Sequence, residues 1–254
     1  SYYTWTYTSP QFPDYLKFSV WQDGYYMTSN QNTQKVIAFE RTAMLAGSAT
    51  ARSISKTFSP PNGGFFFVPL PGDASDGTLP PAGSPCPIFS YSDNGWGSSF
   101  TDAIHIYQMA VNWVPTTPTA TITLANNVPT AAFDASYDPS WNDCSQPSTT
   151  QKLDGIGGVC MFRAQWKSWG GGYNTVVLNW AVKISSTQRS IKWVELRQDQ
   201  STLQWSLYQE GIYTPDADTR WLGSIAMDNS GGIALCYLKS NSTSVYPSLC
   251  YAGR

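Results

Sequence analysis

Five carboxylates offer the first chemical possibility in this chain: Asp14, Glu40, Asp154, Asp216 and Asp218. Glycoside hydrolysis needs two facing carboxyl groups, one to give a proton and one to act as base or nucleophile. Asp216-Ala-Asp218 places two on the same side of an extended segment, because side chains alternate along a strand. The simpler and favoured reading has both accepting from backbone N–H groups in a turn, or pairing with Arg220. Two carboxylates are too few to assert a Ca²⁺ site. His105 is the only histidine, so a Ser-His-Asp triad would have to use it. It shares a strand face with Tyr107, Met109, Val111 and Trp113, which favours a structural role. One histidine also rules out a His-rich metal centre. Gly-x-Ser-x-Gly, His-Glu-x-x-His and a Walker loop are absent, and neither a metal nor a cofactor is expected.

The five cysteines are Cys86, Cys144, Cys160, Cys236 and Cys250. No CxxC occurs, which leaves a zinc ribbon or thioredoxin-type site unsupported. Cys236 and Cys250 fall on consecutive strands, and cross-strand register there predicts a disulfide. Cys86 and Cys144 lie in Pro/Ser-rich stretches and form a second candidate pair, which leaves Cys160 as a buried thiol or a link to another chain. Asn241-Ser-Thr243 is the one N-glycosylation sequon.

These residues must be positioned by strands. Glu occurs only at Glu40, Glu195 and Glu210, helix formers are scarce, and aromatic, Thr, Ser, Gly and Pro content is high. The 254 residues suffice for one large β domain, and no composition shift marks a boundary within 1–254. Net charge is −2 with dispersed Lys and Arg, which argues against nucleic acid or an anionic membrane as partner. The longest apolar run, Gly64 to Leu70, is too short to span a bilayer. The sequence starts at Ser1 with neither Met nor signal peptide, which fits a processed secreted protein or a chain that begins partway through a longer one.

Tyr2 to Thr8 alternates aromatic and polar residues and predicts an edge strand. Strands follow around Asp23-Gly24 and over Lys35–Arg41, with a helical turn over Thr42–Gly47. Residues 57 to 87 are loop-rich around a short apolar strand, and residues 115 to 150 are Thr/Pro/Ser-rich loop. Strands are predicted over Ile88–Tyr91, Ala103–Trp113, Val159–Trp166, Thr175–Lys183, Ile191–Arg197 and Leu203–Tyr208. The last forty residues form three strands, joined by an Asp228-Asn-Ser-Gly-Gly232 turn and a polar loop. Ser19-Val20 to Asp23-Gly24 echoes Ser224-Ile225 to Asp228, a repeat that predicts an all-β, propeller-like array of antiparallel four-stranded sheets.

On the segments FPDYLKFSVWQDGYYMTSN (12–30), VIAFERTAML (36–45), PPAGSP (80–85), QKLDGIGGVCMFRAQW (151–166), IKWVELR (191–197) and YQEGIYTPDADTRWLGSIAMDNSGGIALCY…YPSLCYAGR (208–254), the chain resembles a family of secreted bacterial β-propellers without an established activity. The resemblance runs in order through nearly the whole chain, and the terminal stretch is its specific part. It implies a propeller lacking some N-terminal blades and an extracellular location. It implies little about chemistry. Cys236 and Cys250 depart from the family pattern.

Arg41, Arg163 and Arg220 sit in these segments and could converge with the carboxylates at a propeller axis, as an arginine cluster does in sialidases. Structural pairs such as Glu40-Arg41 and Asp154 with Arg163 explain them as well. Ser90 to Trp96 has the wrong spacing for the sialidase Asp-box and reads as an ordinary turn. Eleven Trp and fifteen Tyr are mostly core, but an exposed line of Trp96, Trp141 and Trp169 would be a sugar-binding signature. The leading expectation is a non-enzymatic extracellular structural or adhesive protein, a filament or surface-layer subunit whose open edge is covered by other copies of itself or a neighbouring chain. The alternatives are a sialidase- or glycosidase-like enzyme and a module that binds extracellular glycans.

Overall fold

The computed structural model describes residues 2–62, 66–138, 140 and 142–254. Four antiparallel sheets follow one another along the chain. The first contains β1 (Asp14–Val20), β2 (Gly24–Asn30), β3 (Lys35–Glu40) and β4 (Ser53–Thr57), in that order, with the short helix α1 (Arg41–Leu45) after β3. The second contains β5 (Leu70–Asp73), β6 (Cys86–Ser92), β7 (Ala103–Asn112) and β8 (Thr119–Pro129). The third contains β9 (Ala164–Ser168), β10 (Tyr173–Lys183), β11 (Arg189–Asp199) and β12 (Trp205–Tyr213). The fourth has three strands, β13 (Thr219–Met227), β14 (Ile233–Ser240) and β15 (Ser248–Gly253). This is a nearly all-β, propeller-like array of curled meanders. The Ser19–Gly24 and Ser224–Asp228 echoes both close the first hairpin of their sheets.

The first strands of the second and third sheets touch. β5 and β9 pair in parallel at Gly72↔Ala164 and Asp73↔Gln165, which joins the two meanders into one eight-stranded sheet. Their facing surfaces bury large rings: Tyr91 stacks on Trp180 at 4.9 Å, and Phe89 meets Trp205 edge-on at 5.6 Å. The first sheet closes on the second through Phe58 and Tyr107, 5.0 Å apart. The third meets the fourth through Val177 and Ile191 against Ile225, Met227, Ile233 and Leu235. β10 therefore has neighbours on both faces, which is why Val176 to Val182 reads as an almost unbroken apolar run rather than an alternating one.

Several expectations are corrected. Tyr2 to Thr8 forms no strand; it lies against the first sheet through Trp5 Nε1 donating to Ser48 O and Tyr7 Oη donating to Ala51 O. The stretch from 119 to 129 is a full strand, because its Thr and Ala residues pair along β7 from Asn112↔Thr119 to Ala103↔Pro129. Val159 to Arg163 is irregular, and β9 begins only at Ala164. All five cysteines are free. Cys236 pairs with Tyr251 and Tyr237 with Cys250, so the two thiols are one residue out of register and project from opposite faces. Cys86 lies buried on β6, while Cys144 lies buried in a bridge to Leu153. Burial pushes the Cys160 thiol up to about 12.

Asn179 is buried on the β10 face toward the fourth sheet, and neither polar atom of its amide has a partner among the described residues. It fits there because Gly223 has no side chain: a Cβ at 223 would overlap Asn179 Oδ1 and stand 3.0 Å from Ile191 Cδ1. Gly223→Ala is expected to cost about 1–3 kcal/mol in urea unfolding, as overpacking does. Asn179→Ala in the same chain should recover part of the loss. A neutral Gly223→Ala would show that the third and fourth sheets do not meet at this wedge.

Candidate functional site

The structure distributes the eight polar candidates over separate local networks. Glu40 binds Arg52 at 2.5 Å, and Arg52 reaches the carbonyls of Trp113 and Pro115 in the second sheet. Arg41 only touches Gln22 O at 3.4 Å. Arg163 binds Asp73 at 2.8 Å and also Asp76, not Asp154. Asp154 accepts from Ile156 N at 2.7 Å, and burial raises its pKa. Asp14 is exposed at the start of β1.

Only Asp216, Asp218 and Arg220 come together. Arg220 binds the Asp216 carboxylate at 2.7 Å and donates to Asp218 O at 2.8 Å. Asp218 accepts from Asn241 Nδ2 at 2.8 Å and Lys239 Nζ at 3.0 Å. The hydrogen bond from Arg220 lowers the pKa of Asp216; those from Asn241 and Lys239 lower that of Asp218. Both stay ionised at neutral pH, so neither can serve as the general acid that glycoside hydrolysis requires. Asn241 is half-buried, and its Oδ1 accepts the backbone N–H groups of Thr243, Ser244 and Val245. Among the described residues, no group of His, Cys, Asp and Glu is placed to hold a metal ion.

One constellation has catalytic spacing. Ser92 Oγ lies 2.7 Å from His105 Nε2, and His105 Nδ1 lies 2.6 Å from Asn127 Oδ1. The three residues sit on consecutive strands β6, β7 and β8. Ser92 is buried, its hydroxyl donates to Thr101 O at 2.5 Å, and burial holds the imidazole below the usual histidine range. Ser92 therefore has no access to a substrate, and the constellation acts as a cross-strand tie.

A cleft of about 650 Å³ opens at one end of the interface between the second and third sheets. Its floor and walls include Trp21 from the β1–β2 turn, Pro87 and Gln108 from the second sheet, and Trp166, Asn174, Gln198 and Trp205 from the third. The loop from Thr78 to Pro85 forms one side, pinned where Trp21 Nε1 donates to Ser84 O at 2.8 Å. Trp21 meets Trp166 edge-on at 5.4 Å. The cleft exists because the core-facing row changes character toward the strand ends. Along β10 that row runs Trp180, Leu178, Val176, then Asn174; its partner on β11 is Gln198.

The amides are linked. Asn174 Nδ2 donates to Gln198 Oε1 at 3.1 Å, and Gln200 Nε2 donates to Asn174 Oδ1 at 2.9 Å and to Ser168 Oγ at 3.1 Å. The Trp205 indole N–H is buried without an acceptor. Among the described residues that line the cleft, none is ionisable at neutral pH. Such a surface supplies indole rings, hydroxyls and oriented amide donors and acceptors, but no carboxyl, imidazole or amine to act as acid or base.

The sequence points to other tryptophans. Trp96 packs between Tyr91 and Phe100, and Trp169 donates to Thr175 Oγ1 at 2.9 Å. Trp141 lies outside the described residues. The signal that could have found the cleft is the amide at an inward position: Asn174 and Gln198 occupy places where strand alternation calls for apolar side chains.

No family model matches the chain, and no curated protein matches it. Among solved structures, it is similar to an endo-arabinase from Bacteroides thetaiotaomicron, with a TM-score of 0.39 and 12% sequence identity over 92% of this chain and 72% of that one. A likeness at that level does not extend to the chemistry of the cleft.

Proposed function

We propose that the chain is a glycan-binding module and that its ligand lies in the cleft between the second and third sheets. The observation that carries this reading is the composition of that cleft: three tryptophans and four amides, Gln108, Asn174, Gln198 and Gln200, with no ionisable group. Sugars present C–H faces that pack on indole rings and hydroxyls that take and give hydrogen bonds. A volume of about 650 Å³ falls within the usual range for small-molecule sites and holds a short saccharide rather than a long polymer. Hydrolysis would need two carboxyl groups around the ligand, and the cleft lining contains none.

A second reading complements the first. An adhesive or filament-forming role is supported by β15, an edge strand of the fourth sheet, where Leu249 and Tyr251 are 74% and 87% exposed. An unpaired edge with apolar side chains is a template for strand pairing with another copy. Native electron microscopy that shows only dispersed monomers would remove this reading.

The binding reading is tested on a glycan array, followed by calorimetry on the best ligands. Asn174→Ala and Gln200→Ala should each weaken binding about tenfold, the effect of losing an oriented hydrogen bond. The melting temperature should change little for exposed Gln200→Ala and fall modestly for Asn174→Ala, which also breaks the buried amide chain. Absence of binding to any glycan, or binding that ignores both substitutions, would overturn the assignment.

A further inference from the structure

The amides of the cleft are not equivalent. Asn174, Gln198 and Gln200 hold one another, and Gln198 Nε2 also donates to Leu203 O at 3.3 Å. Their carboxamide planes are thereby fixed before any ligand arrives. Gln108 stands across the cleft on β7, half-buried, and its carboxamide makes no hydrogen bond among the described residues. Trp205, also on the cleft wall, keeps its indole N–H buried, so it offers a ligand its ring and not a donor. The Gln108 carboxamide, without a protein partner beside a largely apolar surface, is where a ligand completes the hydrogen bonding.

From this we infer that, given the glycan-binding reading, the cleft selects neutral sugars, with Gln108 reading a pair of adjacent hydroxyls. A carboxamide offers one acceptor and one donor side by side. It takes a hydrogen bond from one hydroxyl and gives one to its neighbour, a pattern that vicinal diols match. The same lining rejects anionic sugars. A uronate, sialate or sulfate would leave water for a site with no Lys, Arg or His to meet its charge, and an unpaired buried charge is strongly disfavoured. The selection is thus made by the absence of a cation as much as by the amide.

The test is calorimetry of the full chain with cellohexaose, xylohexaose, mannohexaose and arabinohexaose on one side, and hexagalacturonic acid and sialyllactose on the other. At least one neutral oligosaccharide should bind, with the acidic ones about 100-fold weaker or undetectable. Gln108→Ala should weaken the neutral ligand about tenfold or more, and Gln108→Lys should raise affinity for hexagalacturonic acid above that of the unmodified chain. Melting temperatures near that of the unmodified chain establish that both variants fold. Acidic binding as tight as neutral, weakened by Gln108→Ala, overturns the charge selection and leaves the glycan cleft standing. Neutral binding indifferent to Gln108→Ala overturns the role of Gln108. Failure of every sugar in both sets overturns the glycan reading itself, and the selection with it.

Discussion

The Asp73 carboxylate is the point on which the arrangement of the sheets depends. It is buried at the end of β5 and receives three donors. Oδ1 accepts from Val20 N at 3.0 Å, and Oδ2 accepts from Ser75 Oγ and Arg163 Nη1, each at 2.8 Å. Ala74 N returns a hydrogen bond to Val20 O at 2.9 Å. One side chain therefore ties the first strand of the first sheet to that of the second and to the residue just before the third. A buried charge is tolerated only when such partners surround it, and removing one leaves the other uncompensated. Gln165 continues the series: its side chain accepts from Met227 N at 2.5 Å and donates to Met227 O at 3.2 Å, imitating a strand against the fourth sheet.

This tie bears directly on the site. Trp21 follows Val20, and Trp166 follows Gln165, which pairs with Asp73. The backbone positions held by Asp73, Val20 through the carboxylate and Gln165 through strand pairing, are thus immediate neighbours of two of the three indoles in the cleft. The cleft itself arises where two curled sheets part. Deeper in the interface, Tyr91, Phe133 and Trp180 fill the space with rings at 4.9 to 5.7 Å. Toward the rim the inward positions become amides, which need partners and find them in one another.

Much of the architecture was legible from the chain because hairpins are local. The Asp/Gly turns, the alternation around them and the echo between Ser19–Gly24 and Ser224–Asp228 need no distant information. β8 is hidden in the sequence because Thr119 to Leu124 has the composition of a Thr-rich loop, although Thr is a good strand residue once a partner strand lies beside it. β5, Leu-Pro-Gly-Asp, carries two residues that usually argue against a strand. The expected Cys236–Cys250 link failed by one residue of register, a quantity set by the loop geometry and not by the spacing of the cysteines. The site was less legible still. Gln108, Trp166, Gln198 and Trp205 belong to different strands, and only the face each side chain takes brings them together. The charged residues form local ties, while the uncharged amides line the cleft.

The most direct test of the account uses the indole signals of a chain labelled with ¹⁵N-tryptophan, followed by NMR as a neutral oligosaccharide that binds is added. Trp21, Trp166 and Trp205 should shift in proportion to occupancy, while Trp180 and Trp221, buried elsewhere, stay in place. Shifts confined to Trp96, Trp169 or Trp193, with the three cleft indoles unmoved, would place the ligand on another surface and contradict the assignment.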